Sequence, residues 1–361
     1  MEKRKVTRKD IASRAGTSVS VVSRALNNSG YVAKEKRDRI LKLAEELNYI
    51  PNSVSISLQE RRTKQILFYC KDLSNAFNIQ MYQGMIETAY SRGYMVLVNG
   101  AIAFDEIKDT LVDGIITSNQ AVAKYYMENV GKNYRLPVVS ASYSDVISIP
   151  KPLPIVEVDM FQVVETALDY LYQRGHRKIA IGMPYPIEDF NARSRAYIAW
   201  VKEKELYDHY KYYIGVSRRN PELIDDRRLL GFHEEVGNLL EIQEDFYGKG
   251  RLAAHIFMEK NLDATAILGF NDDFSLGLIK GFQELGVRVP EDISVLGFDG
   301  INNRKYVTPM LTTMGLFPEK QGAKCVEVLL DIIEGKKYKH INHTGFKLLE
   351  GGSVRMIKEG H

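Results

Sequence analysis

Two short helical patterns separated by a sharp break, within residues 7 to 27, constrain this chain more than any other feature. The segment TRKDIASRAGTSVSVVSRALN breaks at Ala15-Gly16-Thr17. Thr7, with Asp10 three residues later, forms a capping-box-like start in which the carboxylate reaches back to orphan amides. Ile11, Ala12 and Ala15 share one apolar face, and Gly16 tolerates the left-handed backbone of a tight turn between helices. Ser18 is placed to cap a second helix, whose Val22 and Leu26 point inward at i, i+4 spacing. Val19, Ser20, Ser23, Arg24 and Asn27 are thereby left to face outward. A third helix over residues 34–48 offers Ile40, Leu43, Ala44 and Leu47 to close a three-helix core. This is the layout of a helix-turn-helix module, which lays its second helix in the major groove of double-stranded DNA.

The charge distribution agrees. The 361 residues carry a formal net charge of only +3, but residues 1–65 hold 15 Lys and Arg against 7 Asp and Glu, and the remainder holds 34 against 39. A basic small domain on an acidic larger one confines the electrostatic footprint for phosphates to one end of the chain. A solvated lysine-rich face is the bland reading of such charge, and the adjoining helix pattern favours nucleic acid. The two cysteines, Cys70 and Cys325, lie in apolar stretches without CxxC spacing, and the seven histidines are dispersed. No disulfide framework, metal or cofactor is expected, and a reducing cytoplasm suits the chain. The start MEKRKVTRKD has no apolar run after its charges, and no segment reaches membrane-span length. Nothing reads as GxSxG, a phosphate-binding loop or zinc-ligand spacing, so enzymatic chemistry is not expected.

From residue 66 onward, short apolar runs alternate with helical ones. ILFYC, YMVLVN, GIIT, PVVS, VEVD, KIAIG, AILGF and ISVLGFD read as strands buried on both faces. A helix over residues 80–91, and the runs VVETALDYLYQ, RAYIAWVKEKEL, GRLAAHIFMEK and SLGLIKGFQEL, separate them. That alternation predicts parallel sheets with helices on both sides. Without GxGxxG after the first strand, a dinucleotide fold is disfavoured. Between the two parts, residues 51–65 form a joint: Pro51 ends the preceding helix, and Asn52 can cap a very short new one.

Several of these segments together resemble the LacI/GalR family of bacterial transcription regulators. The resemblance rests on AGTSVSVVSRALN and LNYIPNSVSISL in the first part. LSNAF, DGII, RGHRKIAIG, FNDDFSLG, VRVPEDISVLGFDG and TPMLTT then follow in the family's order. It implies a small all-α headpiece (residues 1–50), a hinge helix and linker (51–65) and a two-lobed α/β core of the periplasmic-binding-protein kind (66–361). Three crossovers, near Asp159, near Gly315 and around residue 340, would divide the core into a first lobe of residues 66–158 and 316–340 and a second of 159–315 and 341–361. By the same resemblance the hinge orders on operator DNA and inserts Leu58 into the minor groove, where an apolar wedge bends the duplex. Serine replaces the family's usual alanine at Ser55, which favours helix less, and Ala33 replaces a serine cap before the third helix.

The candidate DNA contacts follow. Val19 and Ser20 occupy positions that face base edges in the family; valine suits a thymine methyl, and serine donates or accepts without strong preference. Arg24 reaches a guanine or a phosphate. Thr17, Ser23, Asn27, Tyr31, Tyr49 and Asn52 are expected phosphate contacts, with Ser18 and Ser55 in the same surface. Candidate effector contacts lie where strands end. They are Asp72, Ser74, Asn75 and Phe77 after the first strand, Asn271 and Asp272 after AILGF, and Asp299 at the end of ISVLGFD. The resemblance adds Arg193 or Arg195, and Ser142, which stands where the family often has aspartate. Carboxylates, amides and an aromatic ring suit sugar hydroxyls and an apolar sugar face. The arginine segment reads RAYIAW without the family's usual glycine, so no relative's effector transfers to this chain.

The expectation is therefore a cytoplasmic homodimeric repressor of a carbohydrate operon, controlled by a sugar or sugar phosphate between the lobes. The alternative is a global regulator of the same fold, governed by a partner protein or a non-sugar corepressor. The short carboxy-terminal KLLEGGSVRMIKEGH has no heptad run, which argues against a zipper tetramer.

Overall fold

The computed structural model describes residues 6–49, 62–70, 72–100, 110–129, 136–144, 147, 152–185, 191–216 and 245–357. The chain divides after Thr63 into two units. Asn52, Ser55 and Leu58 lie outside the described residues.

The first unit has three helices: α1 (Arg8–Ala15), α2 (Val19–Leu26) and α3 (Lys34–Glu46). Asp10 accepts hydrogen bonds from the Thr7 amide at 2.8 Å and the Thr7 hydroxyl at 2.7 Å. Gly16 ends α1 at φ +62°, a conformation that costs a side chain and costs glycine nothing. Ser18 accepts from the Val21 amide at 3.4 Å and so opens α2. Ala33 offers no side-chain cap to α3. Ile11, Ala12, Ala15, Val22, Ala25, Val32, Ile40 and Ala44 form the core, with Leu26, Leu43, Leu47 and Tyr49 packed around it.

The second unit holds two six-stranded sheets. The first contains β1 (Gln65–Tyr69), β2 (Met95–Asn99), β3 (Gly114–Thr117), β4 (Val138–Ser142), β5 (Ile155–Glu157) and β11 (Ile341–His343), in the order β11-β5-β4-β3-β1-β2. All its pairings are parallel. The second contains β6 (Ile179–Met183), β7 (Tyr213–Gly215), β8 (Ala266–Gly269), β9 (Ser294–Asp299), β10 (Thr312–Gly315) and β12 (Lys347–Leu349), in the order β12-β10-β9-β8-β6-β7. Here the edge strand β12 runs antiparallel to β10, and the other pairings are parallel, as expected. Helices α4 (Ala76–Ser91), α5 (Gln120–Asn129) and α10 (Pro318–Ile333) belong to the first lobe. Helices α6 (Met160–Gln173), α7 (Ala192–Glu203), α8 (Phe246–Glu259) and α9 (Asp272–Glu284) belong to the second.

Two boundaries differ from the sequence reading. The third crossover falls at residues 344–346 instead of around 340, so residues 341–343 belong to the first lobe. The Ile155 amide donates to His340 O at 2.7 Å and the Thr344 amide to Glu157 O at 2.9 Å, which keeps the chain on the first sheet that far. Helix α4 begins at Ala76 instead of residue 80, because Asn75 accepts from the Phe77 amide at 2.8 Å. The tyrosine-rich stretch after residue 204, which shows no apolar run, supplies β7.

Each lobe contains one very close helix pair, built on glycines that face each other. A β-carbon added at Gly84 of α4 would lie 2.0 Å from Glu319 O, and one at Gly322 of α10 would lie 2.1 Å from Met81 O. In the second lobe one added at Gly250 of α8 would lie 2.0 Å from Phe274 O, and one at Gly277 of α9 would lie 2.0 Å from Tyr247 O. Only glycine lets backbones approach so closely, so these contacts set the depth at which the helices lie.

His176 anchors the turn before β6. It is fully buried, with Nδ1 2.9 Å from Thr265 Oγ1 and Nε2 3.2 Å from Arg355 O. Both contacts suit a neutral ring that donates from Nε2 and accepts at Nδ1. Burial, opposed by the Arg355 carbonyl and aided by nearby arginines, pushes its pKa down to about 4. In the unfolded chain the ring titrates near 6.5. The folded-state value is the lower one, so the stabilisation is complete above pH 6.5 and is lost as pH falls towards 4. The expected loss across that window is on the order of 2 kcal/mol. Urea titrations at several pH values check this; His176→Asn should flatten that part of the profile, and an unchanged slope refutes the assignment.

Among the described residues, no helix is long and apolar enough to cross a membrane.

Candidate DNA-reading helix and effector cleft

In the first unit, burying Val22 and Ala25 turns the opposite face of α2 outward. Val19 is 40% exposed, and Ser20, Arg24 and Asn27 are exposed beside it. Arg24 Nε lies 3.4 Å from Ser20 O, which lays the guanidinium along that face. Arg8 Nη1 donates to Ser23 Oγ at 3.1 Å, so Ser23 braces α1 against α2. Thr17 is half-buried and Ser18 exposed. Tyr31 is 88% exposed, whereas Tyr49 packs partly on the helical core. The expected contact residues on the turn and α2 therefore share one surface. The amino-terminal end of α2 adds the positive end of a helix dipole to it.

In the core, the carboxyl ends of the strands in each lobe carry the other candidates. After β1, Asp72 Oδ1 accepts from the Ser74 amide at 2.8 Å and the Ser74 hydroxyl at 2.6 Å, a turn that leads into the Asn75 cap. Phe77 is buried and packs edge-on against Tyr143, ring centroids 5.8 Å apart. Tyr143 follows β4 and donates to Gln321 Oε1 at 3.0 Å. Ser142 is buried, its hydroxyl 3.1 Å from Gln120 Oε1 and 3.4 Å from Glu157 Oε1, so that hydroxyl already braces β4.

In the second lobe, Asn271 caps α9 by accepting from the Phe274 amide at 2.9 Å, which leaves its NH2 group as the donor for other partners. The next residue, Asp272, is fully buried. It accepts from the Gly300 and Ile301 amides at 2.9 and 2.8 Å and from the Thr313 hydroxyl at 2.5 Å. Those bonds pin the loop after β9 and hold Asp299 at φ +115°, a strained conformation for a side-chain-bearing residue. Arg193 Nη2 lies 3.8 Å from Asp299 Oδ1, and the guanidinium sits 4.6 Å above the Phe270 ring. Tyr185 packs edge-on against Phe270 at 5.7 Å. Burial pushes Asp299 well above the usual carboxylate range; the neighbouring Asp272 adds to this and Arg193 opposes it.

Several groups meet across the lobes. Arg195 of α7 donates to Ser144 O, just past β4, at 2.8 Å. Burial, and next the charge of Asp299, push the Tyr143 phenol well above its ordinary value. Burial, then the charges of Asp72 and Asp245, raise Asp273. The structure thus brings Asp72, Phe77, Arg193 and Asp299 to one interlobe site, uses Arg195 as a link between lobes and gives Ser142 a bracing role. Ser74 and Asn75 shape the turn beneath Asp72. Sequence reasoning passed over Tyr143, Tyr185, Phe270 and Asp273. The signal was there for two of them: Tyr143 and Phe270 are the first residues past β4 and β8. Thr117 Oγ1 at the end of β3, Asn191 Nδ2 and Arg193 Nε are buried without a hydrogen-bond partner among the described residues. Each is a polar atom that a hydroxylated ligand can satisfy.

Comparison with known proteins covers both units. Residues 7–52 match the family described as bacterial regulatory proteins, lacI family. Residues 63–206 match the periplasmic binding proteins and sugar binding domain of that family, and residues 168–354 a periplasmic binding protein-like domain. The transcriptional repressor CytR of Escherichia coli (strain K12) is 26% identical over 358 residues, covering 95% of this chain and 93% of the relative. The probable repressor ExuR of Bacillus subtilis (strain 168) is 29% identical over 364 residues, covering 98% and 99%. A solved Lac repressor dimer bound to operator and the anti-inducer ONPF shares the fold, with TM-score 0.75 at 21% identity over 98% of this chain and all of that one. An Enterococcus faecium regulator with bound ribose overlaps 81% of this chain and all of its own, with TM-score 0.65 at 22% identity.

Proposed function

The chain belongs to the lacI family of bacterial regulatory proteins, and from that premise we propose that it is a cytoplasmic, non-enzymatic repressor that reads an operator with α2 and releases or grips it according to a small molecule held between the core lobes. One observation carries the proposal: a single chain joins an exposed reading helix, set in a basic unit, to a cleft whose polar and aromatic groups come from two lobes. Arg193, Asp299 and the NH2 group of Asn271 offer donors and acceptors for hydroxyls, while Phe270 and the Phe77–Tyr143 pair offer flat apolar faces. A sugar presents both kinds of surface. A ligand touching both lobes favours one lobe arrangement by its differential affinity, and that difference is what shifts DNA affinity.

The test is selection of genomic fragments by the purified protein, followed by a panel of sugars added to the bound complex. The expected result is a small set of near-palindromic sites and a sugar that changes affinity for them. Asp299→Asn should weaken the response to that sugar by about 10-fold or more while leaving ligand-free operator binding intact. No preference for any fragment over random DNA, in any ligand state, overturns the reading. Many scattered sites without a sugar response favour control by a partner protein.

A homodimer suits a palindromic site. Ile79, Ile86 and Tyr90, spaced seven and four residues apart on α4, are exposed at 38%, 42% and 83%, and Met95 beside them is exposed at 59%. We propose this face as part of the dimer contact. Ile86→Asp is expected to shift the sedimenting species from dimer to monomer and to weaken operator binding at low protein concentration. A variant that sediments like the parent removes α4 from the interface.

A further inference from the structure

The core carries its positive charge unevenly. Acidic residues outnumber basic ones after residue 65, yet Lys336, Lys337 and Lys339 fall within four residues and are followed by His340. The parallel order of the first sheet locates this cluster. Lys64 directly precedes β1 and His340 directly precedes β11, and all six strands run the same way, so both lie at the amino-terminal end of the sheet. The interlobe cleft is at the carboxyl end. Nearby acidic groups are already engaged: Glu334 is 2.7 Å from both Arg92 and Lys336, and Asp331 is 3.9 and 4.0 Å from the same two residues. Lys337 and Lys339 are exposed and make no ion pair among the described residues. The chain from the DNA-reading unit enters the core through Lys64, at this same end. A duplex gripped by that unit is therefore linked through the chain to the lobe that carries these lysines.

We propose that Lys337 and Lys339 contact phosphates of the DNA flanking the site read by α2, an additional sequence-independent grip from the core. This rests on the DNA-binding reading above. Exposed lysines that meet a duplex bind its backbone by releasing condensed counterions, and each phosphate contact contributes about 0.9 to the slope of log affinity against log salt. The lysine pair of one protomer then accounts for a slope of about 2.

The experiment compares the full-length protein with Lys337→Ala/Lys339→Ala on two random-sequence duplexes, one long and one barely spanning the reading helices. On the long duplex, which meets one such pair from each half of the homodimer, the parent should lose about 150-fold more affinity than the variant between about 50 and 200 mM salt. On the short duplex the two should behave alike. Equal slopes on the long duplex, with the parent binding normally, overturn the proposal and leave these lysines as a solvated face or a contact for an acidic protein. If the parent binds neither duplex, the DNA-binding reading falls and takes this inference with it.

Discussion

Gly322→Ala is expected to destabilise the core by about 3 kcal/mol, the upper end of the usual range for overpacking. The added carbon would sit 2.1 Å from the Met81 carbonyl oxygen, a backbone atom that cannot rotate away as a side chain would. Helices α4 and α10 must then separate, which exposes or loosens Met81, Met85 and Cys325 between them. Gly84→Ala meets the Glu319 carbonyl from the other side of the same contact and should cost a similar amount. Because the first substitution already parts the helices, the double variant should lose less than the sum of the two. Gly345→Ala is the control: its added carbon meets nothing within 4 Å and its φ is not positive, so the change should fall within about 0.5 kcal/mol. Urea midpoints of the core transition decide the matter. If Gly322→Ala and Gly345→Ala shift the midpoint equally, the glycines do not set the helix spacing.

Arg24→Ala is expected to weaken operator binding by about 10- to 100-fold while leaving the headpiece folded. The side chain is exposed, and the core of Ile11, Val22 and Ile40 does not depend on it. A guanidinium that reads guanine from the major groove discriminates between bases, so the loss should be large on the selected operator and small on scrambled DNA. Specificity at a single base position should relax with it. The outcome that sinks this assignment is a uniform loss on both duplexes with the salt slope reduced by about one, because that is how a phosphate contact behaves.

The headpiece was legible almost residue by residue. Its helices are short and local: a cap at Thr7 and Asp10, a left-handed glycine at position 16 and a cap at Ser18 are all interactions between near neighbours in sequence. Burial of Ile11, Ala15, Val22 and Ile40 follows from spacing alone. The alternation of strands and helices in the core was equally readable, because strands buried on both faces are continuous apolar runs. Strands without that signature were not. β7 lies in a tyrosine- and charge-rich stretch. β11 and β12 are three-residue edge strands, and their pairing rests on backbone hydrogen bonds to strands far away in sequence.

The cleft shows the same division. The order of residues alone sets the kinds of group available and the strand ends that carry them, because strand ends and helix caps are set by local hydrogen bonding. It determined the split between a basic reading unit and an acidic core in the same way, from composition. Which groups meet depends on how the folded chain packs. Asp299 faces Arg193 because Asp272, 27 residues earlier, holds the Gly300 and Ile301 amides and fixes the strained backbone between them. Arg195 bonds Ser144, 51 residues away and in the other lobe, instead of standing beside Arg193 as a second ligand contact. Periodicity describes neighbours along a strand or helix. Which carboxylate is paired, which is desolvated and which serine is a brace depend on contacts across lobes, and those exist only once the chain has folded.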